Sequence, residues 1–180
     1  MPIENERKFV LNEQVVGLEA DLVAMPSVAR HLLRQAYLDA PGLRIRSLEG
    51  GGKTDHVFTY KRTIDGQVVE IETGLSAVDF ARLWTQRRET LVKVRYSWTE
   101  GRYHWDVDFF KRDDGSTYFA MAEVEMPEEQ SDPPPLPDFL ANHLLLVAPA
   151  LDPHFASKRI ADQAHAMNLL AAIRANKQVA

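Results

Sequence analysis

The 180-residue chain has no cysteine. That excludes a disulfide framework, thiolate metal sites and a cysteine nucleophile, and it fits a cytoplasmic protein. Positive charge is also short. Its 21 lysines and arginines stand against 26 aspartates and glutamates, for a formal charge of −5. Such a balance gives no overall field for nucleic acid or anionic membrane, so neither is expected as a partner. No apolar run approaches the ~20 residues of a membrane span, and residues 1–8 are charged from the outset, without the apolar stretch of a signal peptide. The six histidines show no H-E-x-x-H spacing, so the usual zinc-hydrolase pattern is missing. Gly52-Lys53-Thr54 ends like a phosphate-binding loop, but Ser47 stands where the first glycine belongs.

What is present suits one domain spanning residues 1–180. The chain is 45% hydrophobic and 26% charged, enough apolar material to bury a sizeable core. Strands are expected over residues 3–11, 35–39, 43–48, 56–63, 68–73, 89–98, 102–110 and 117–126, where side-chain character alternates with period two. Asp65-Gly66 and Glu100-Gly101 supply hairpin turns. Ser76 with Asp79 reads as the cap of a helix running to about residue 87. Short helices are expected over 26–34 and 138–145, and a longer C-terminal one over about 156–177. Between them Pro133, Pro134, Pro135 and Pro137 make residues 131–137 an extended linker. About eight hairpin-linked strands with peripheral helices predict an α+β fold built on an eight-stranded antiparallel β-barrel.

The alternation carries an unusual cargo. Glu4, Glu6 and Lys8 share one strand face, as do Arg44 with Arg46, Glu70 with Glu72, Lys93 with Arg95, Asp106 with Asp108, and Glu123 with Glu125. Lys61 joins them. The intervening residues are mostly apolar. A single pair of this kind reads first as a solvated face with cross-strand ion pairs. The full series suggests that apolar faces pack outward against helices while charged faces line an interior. Two carboxylates about 4 Å apart repel by roughly 4 kcal/mol at an effective dielectric of 20, so converging acids call for a divalent cation or basic neighbours. Hard oxygen donors select Mg²⁺, Mn²⁺ or Ca²⁺. The matching arginines and lysines suit a ligand with several phosphates, because a guanidinium grips phosphate oxygens in pairs.

These segments resemble a known family. Glu4-Asn5-Glu6-Arg7-Lys8 is similar to the ExExK signature of the CYTH superfamily, the triphosphate tunnel metalloenzymes, with Asn5 where an apolar residue is usual. Arg34-Gln35-Ala36-Tyr37-Leu38 resembles a segment of its bacterial inorganic triphosphatase-like branch. Leu43 to Arg46, Thr59 to Lys61, Glu70 to Glu72, Lys93 to Tyr96, Trp105 to Asp108, Ala122 to Glu125 and Ser157-Lys158 continue the likeness in order, over roughly residues 3–160. The resemblance implies an eight-stranded tunnel and a metal-dependent phosphohydrolase that removes the terminal phosphate of inorganic triphosphate or a related triphosphate. It implies Mg²⁺ or Mn²⁺ held by Glu4, Glu6, Glu72, Asp108, Glu123 and Glu125. Phosphates would be held by Lys8, Arg44, Arg46, Lys61, Lys93, Arg95 and Lys158, with Tyr37 and Lys8 assisting the attacking water. An ammonium near Tyr37 would lower its phenol pKa. An adenylate cyclase of the same fold and a non-catalytic polyphosphate- or nucleotide-binding module use much the same residues. The oligomeric state is left open between monomer and homodimer.

Overall fold

The computed structural model describes residues 5–13 and 17–179. Strands and helices follow in the order β1 (Glu6–Leu11), α1 (Leu18–Ala24), β2 (Ala29–Leu38), β3 (Leu43–Gly50), β4 (Lys53–Ile64) and β5 (Gln67–Gly74). Then come α2 (Ala77–Trp84), β6 (Arg87–Glu100), β7 (Tyr103–Lys111), β8 (Thr117–Glu125), α3 (Asp138–Ala141), β9 (Leu144–Val147), α4 (Ser157–Ile160) and α5 (Gln163–Val179). The strands form one nine-stranded sheet, ordered β5-β4-β3-β2-β6-β7-β8-β1-β9 and antiparallel throughout.

This corrects the expected eight-stranded closed barrel. Closure would require β1 to pair with β5. Instead Phe9 to Leu11 on the outer edge of β1 pair with β9, leaving β5 and β9 as the two edges of an open sheet. A helix was expected over 138–145, but it stops at Ala141 and the chain returns as a strand over Leu144–Val147. Similarly, residues 29–34 were expected as helix and form the first half of β2, a strand that pairs with β6 over ten positions. The C-terminal helix is broken into α4 and α5 around Ala161 and Asp162. Among the described residues no helix is long and apolar enough to cross a membrane.

The two faces of the sheet carry different cores. On one, Phe9, Leu11, Tyr96, Trp98, Trp105 and Val107 pack with Leu18 and Leu22 of α1 and Leu140 of α3. On the other, Val10, Leu91, Phe110, Phe119 and Met121 are covered by Phe155, Ile160, Leu170 and Ile173 from the C-terminal helices. Arg174 fastens α5 to the end of β1 through Asn12 and Glu13, at 2.9 and 2.8 Å. This second face is apolar over only part of its length. Beyond the helices it curls around a cavity of about 470 Å³ to which every strand from β1 to β8 contributes side chains.

Candidate functional site

Cross-strand register assembles the cavity in rows. Glu6 of β1 lies opposite Glu125 of β8, which lies opposite His104 of β7. In the next row Lys8 faces Glu123, and Glu123 faces Asp106. Arg95 of β6 is opposite Asp108. Residues of one parity in each strand point inward, so the i, i+2 spacing becomes a wall of alternating charge.

At this end the charges are densely paired. Arg95 grips Asp108 side-on, Nε to Oδ1 and Nη2 to Oδ2, both at 2.7 Å. It also donates to Asp106 and, at 3.2 Å, to Glu123. Lys93 donates to Asp108 at 2.5 Å. Asp108 is fully buried beneath these two cations and does not line the cavity, whereas Asp106 does. Ser97 donates to Asp106 at 2.5 Å, and His104 Nε2 lies 3.3 Å from it. Lys8 binds Glu6 and, at 3.1 Å, Glu123.

Protonation follows from these contacts. Burial lifts the Glu123 carboxyl, but Lys8, Arg95 and Lys93 outweigh it and hold the group far below the usual carboxylate range. Burial opposes the charge on Lys8, yet Glu123 and Glu6 outweigh it, so the ammonium is held more firmly than normal. Glu125 goes the other way. Burial raises it, His104 pulls it down, and the carboxylates of Asp106 and Glu6 leave it raised overall. The hydrogen bond that His104 donates to Asp106, against some burial, raises His104.

The opposite wall is built from β3, β4 and β5. Arg44 Nη2 donates to Glu70 at 2.7 Å, to Glu72 at 3.3 Å and to the Thr59 hydroxyl at 3.3 Å. Arg46 Nη2 lies 2.9 Å from both oxygens of Glu72. Thr59 donates to Glu72 at 2.8 Å, and Lys61 approaches Glu70 to 3.4 Å. Burial, and then the neighbouring Arg44, lower the pKa of Arg46. Glu72 is raised by burial but brought below its ordinary value by Arg46, Thr59 and Arg44.

Tyr37 and Lys158 also line the cavity. The Tyr37 oxygen accepts from Gln35 Nε2 at 2.6 Å, and Lys158 Nζ lies 5.7 Å from the ring centre. Lys158 is half-exposed and 3.8 Å from Glu89. An acidified phenol was expected at Tyr37. Burial instead raises its pKa well above normal, and the Arg44 charge and Gln35 hydrogen bond recover only part of the shift.

Of the residues singled out in the sequence, Glu6, Lys8, Tyr37, Arg44, Arg46 and Lys61 line the cavity; so do Glu72, Lys93, Arg95, Glu123, Glu125 and Lys158. Glu4 lies outside the described residues. Glu72 sits against the arginine wall, and Asp108 beneath Lys93 and Arg95. Three further residues take part without having been singled out: His104, Thr59 and Gln35. Each is two positions from a recognised charged or aromatic residue on its strand, which is the signal that would have found it.

Among the described residues no group of three or more His, Asp or Glu side chains converges to hold a metal ion. The donor chemistry at the carboxylate end nevertheless suits a hard divalent cation. Glu6 and Glu125 are neighbours across β1 and β8, and Glu125 is disfavoured as an anion by Glu6 and Asp106. A cation would relieve that repulsion.

No family model matches the chain, and no curated protein matches it. Solved structures do. The crystal structure of the inorganic triphosphatase NE1496 is 21% identical, covering 89% of this chain and 95% of that one, with a TM-score of 0.50. The PH1819 protein from Pyrococcus horikoshii OT3 is 18% identical over 71% of this chain and 79% of its own, with a TM-score of 0.54. At these identities the likeness is one of fold.

Proposed function

We propose that the protein is a metal-dependent phosphohydrolase that cleaves the terminal phosphate from inorganic triphosphate or a related triphosphate. One observation carries the reading. A single cavity holds cations along its whole length, from Arg46 and Arg44 to Lys8, with surplus carboxylate at one end. A metal-chelated polyphosphate needs both signs of charge in that arrangement. The fold shared with a protein described as an inorganic triphosphatase supports it.

In this reading Arg44, Arg46 and Lys61 hold phosphate oxygens at one end, and Lys158 closes on the chain. Lys93 and Arg95 fix Asp108, Asp106 and Glu123, and contribute positive charge to the wall. Glu6, Glu123 and Glu125, with Glu4, would hold Mg²⁺ or Mn²⁺. Such a cation, when bound, withdraws charge from phosphate oxygens and makes water more acidic. Lys8 stays an ammonium and Tyr37 a neutral phenol, so both act as hydrogen-bond donors and neither as a base. They orient water and stabilise negative charge gathering on the terminal phosphoryl oxygens. The water oxygen adds to the terminal phosphorus as the bridging P–O bond breaks. Phosphate and pyrophosphate leave, and the proton lost by water ends on a product oxygen.

The test offers tripolyphosphate, thiamine triphosphate and ATP to purified protein with Mg²⁺ or Mn²⁺ and resolves the products. Phosphate release that stops with EDTA is expected. Cyclic AMP with pyrophosphate from ATP would select the cyclase instead, and binding without turnover would select the non-catalytic module.

A further inference from the structure

The arginine wall is occupied before any ligand arrives. Among the described residues, strand β5 is an edge of the sheet and pairs with β4. Its inward residues Glu70 and Glu72 lie on Arg44 and Arg46 at 2.7–3.3 Å. Among the described residues, the three cations Arg44, Arg46 and Lys61 meet the carboxylates of Glu70 and Glu72 on this wall.

The way the guanidinium groups are used is incomplete. A guanidinium grips an oxyanion most strongly through two parallel N–H donors, and Nε with Nη2 forms one such edge. Arg95 uses that edge on Asp108. Arg44 and Arg46 do not: in each, Nη2 is taken by carboxylate while Nε is buried with no hydrogen-bond partner. A buried donor without a partner is costly, so two idle Nε–H groups mark where an oxyanion belongs. To complete either edge, an incoming oxygen must take Nη2 from Glu70 or Glu72. Yielding is open to Glu72, which is 36% exposed against 13% and 17% for the arginines it holds.

We propose that Glu70 and Glu72 are specificity-determining residues, internal anions that a phosphate must displace from Arg44 and Arg46 before it can bind. The proposal rests on the polyphosphate reading of the cavity and adds a threshold to it. An anion of low charge, such as orthophosphate, replaces one carboxylate contact with a similar one and gains little. A triphosphate brings more charge and more oxygens, fills both Nε–Nη2 edges and extends to Lys8. Glu70 and Glu72 therefore reject small anions that the bare arginines would accept.

The experiment is calorimetric titration in EDTA, which removes turnover and metal from the measurement. Tripolyphosphate and orthophosphate are titrated into wild type, E72Q, E70Q and R46A, with a thermal melt of each to establish folding. Both glutamine variants keep shape and lose charge. Each is expected to bind orthophosphate about tenfold tighter than wild type, a change of ~1.4 kcal/mol, and tripolyphosphate tighter as well. R46A is expected to weaken tripolyphosphate. Folded E72Q and E70Q that bind both anions no better than wild type, or worse, would overturn the proposal, because the carboxylates would then be aligning the arginines. In that event R46A would still weaken tripolyphosphate, and the polyphosphate reading would stand. Tripolyphosphate affinity indifferent to R46A would remove the reading and the proposal together.

Discussion

Tyr37 shows how a side chain's role is set by its surroundings. In the sequence it reads as a phenol made acidic by a neighbouring ammonium. In the structure burial dominates and its pKa rises. A raised folded value contributes stability that is present below the free phenol's pKa of about 10 and lost as pH climbs beyond it. The difference between wild-type and Y37F phenolate absorbance should therefore show no step near pH 10, and a step there would restore the acidified phenol. Asp108 shows the same dependence in a charged group. Its alternation with Asp106 was legible, but which of the two faces ligand was not, because that turns on Arg95 and Lys93 closing over one carboxylate. Breaking a buried pair from one side leaves a charge uncompensated. D108A should lose about 3–5 kcal/mol in denaturant unfolding, whereas the exposed D55A, whose pair with Lys53 faces solvent, should stay within about 0.5 kcal/mol.

Elements with a strict two-residue period were easiest to read, and β3 to β8 begin or end within a few residues of expectation. The exceptions have physical reasons. Residues 29–34 contain Ala, Arg and two Leu, good helix formers, but ten positions of pairing with β6 outweigh local propensity. The run 144–147 is uniformly apolar, and four such residues do not distinguish strand from helix; its free partner, the edge of β1, is visible only in three dimensions. Turns can matter as much as strands. Gly42 has φ +83°, and a Cβ there would lie 2.7 Å from the Lys61 carbonyl oxygen, whose own N–H donates to Gly42 at 2.9 Å. G42A should lower stability by more than ~1 kcal/mol and weaken tripolyphosphate binding, because it separates Arg44 from Lys61. G51A, at φ +58° with open space around it, should bear the backbone strain alone and leave binding intact. Equal binding losses in the two would contradict this reading of the turn.

At the scale of the whole molecule, a chain of net charge −5 keeps several cations around one cavity, and the proposed function makes their number a selector of ligand length. Under the polyphosphate reading, pyrophosphate is expected to engage fewer of these cations than a triphosphate. Losing two charge-assisted contacts at roughly 1.5–3 kcal/mol each should weaken it by about two to four decades. Comparable kcat/KM on tripolyphosphate and pyrophosphate would contradict that. The order of the sheet also bears on how the cavity comes into being. Strand β1 carries Glu6 and Lys8, and its partners are β8 and β9, more than a hundred residues later. During synthesis β1 leaves the ribosome ahead of every other strand and then waits for both. Hairpins from β3 to β7 can form beside it, but long-range pairings close slowly. The charged pocket is therefore completed only when β8 and β9 reach β1, and a nascent chain halted after β7 would hold the arginine wall while Glu6 and Lys8 sat on a strand without its partners.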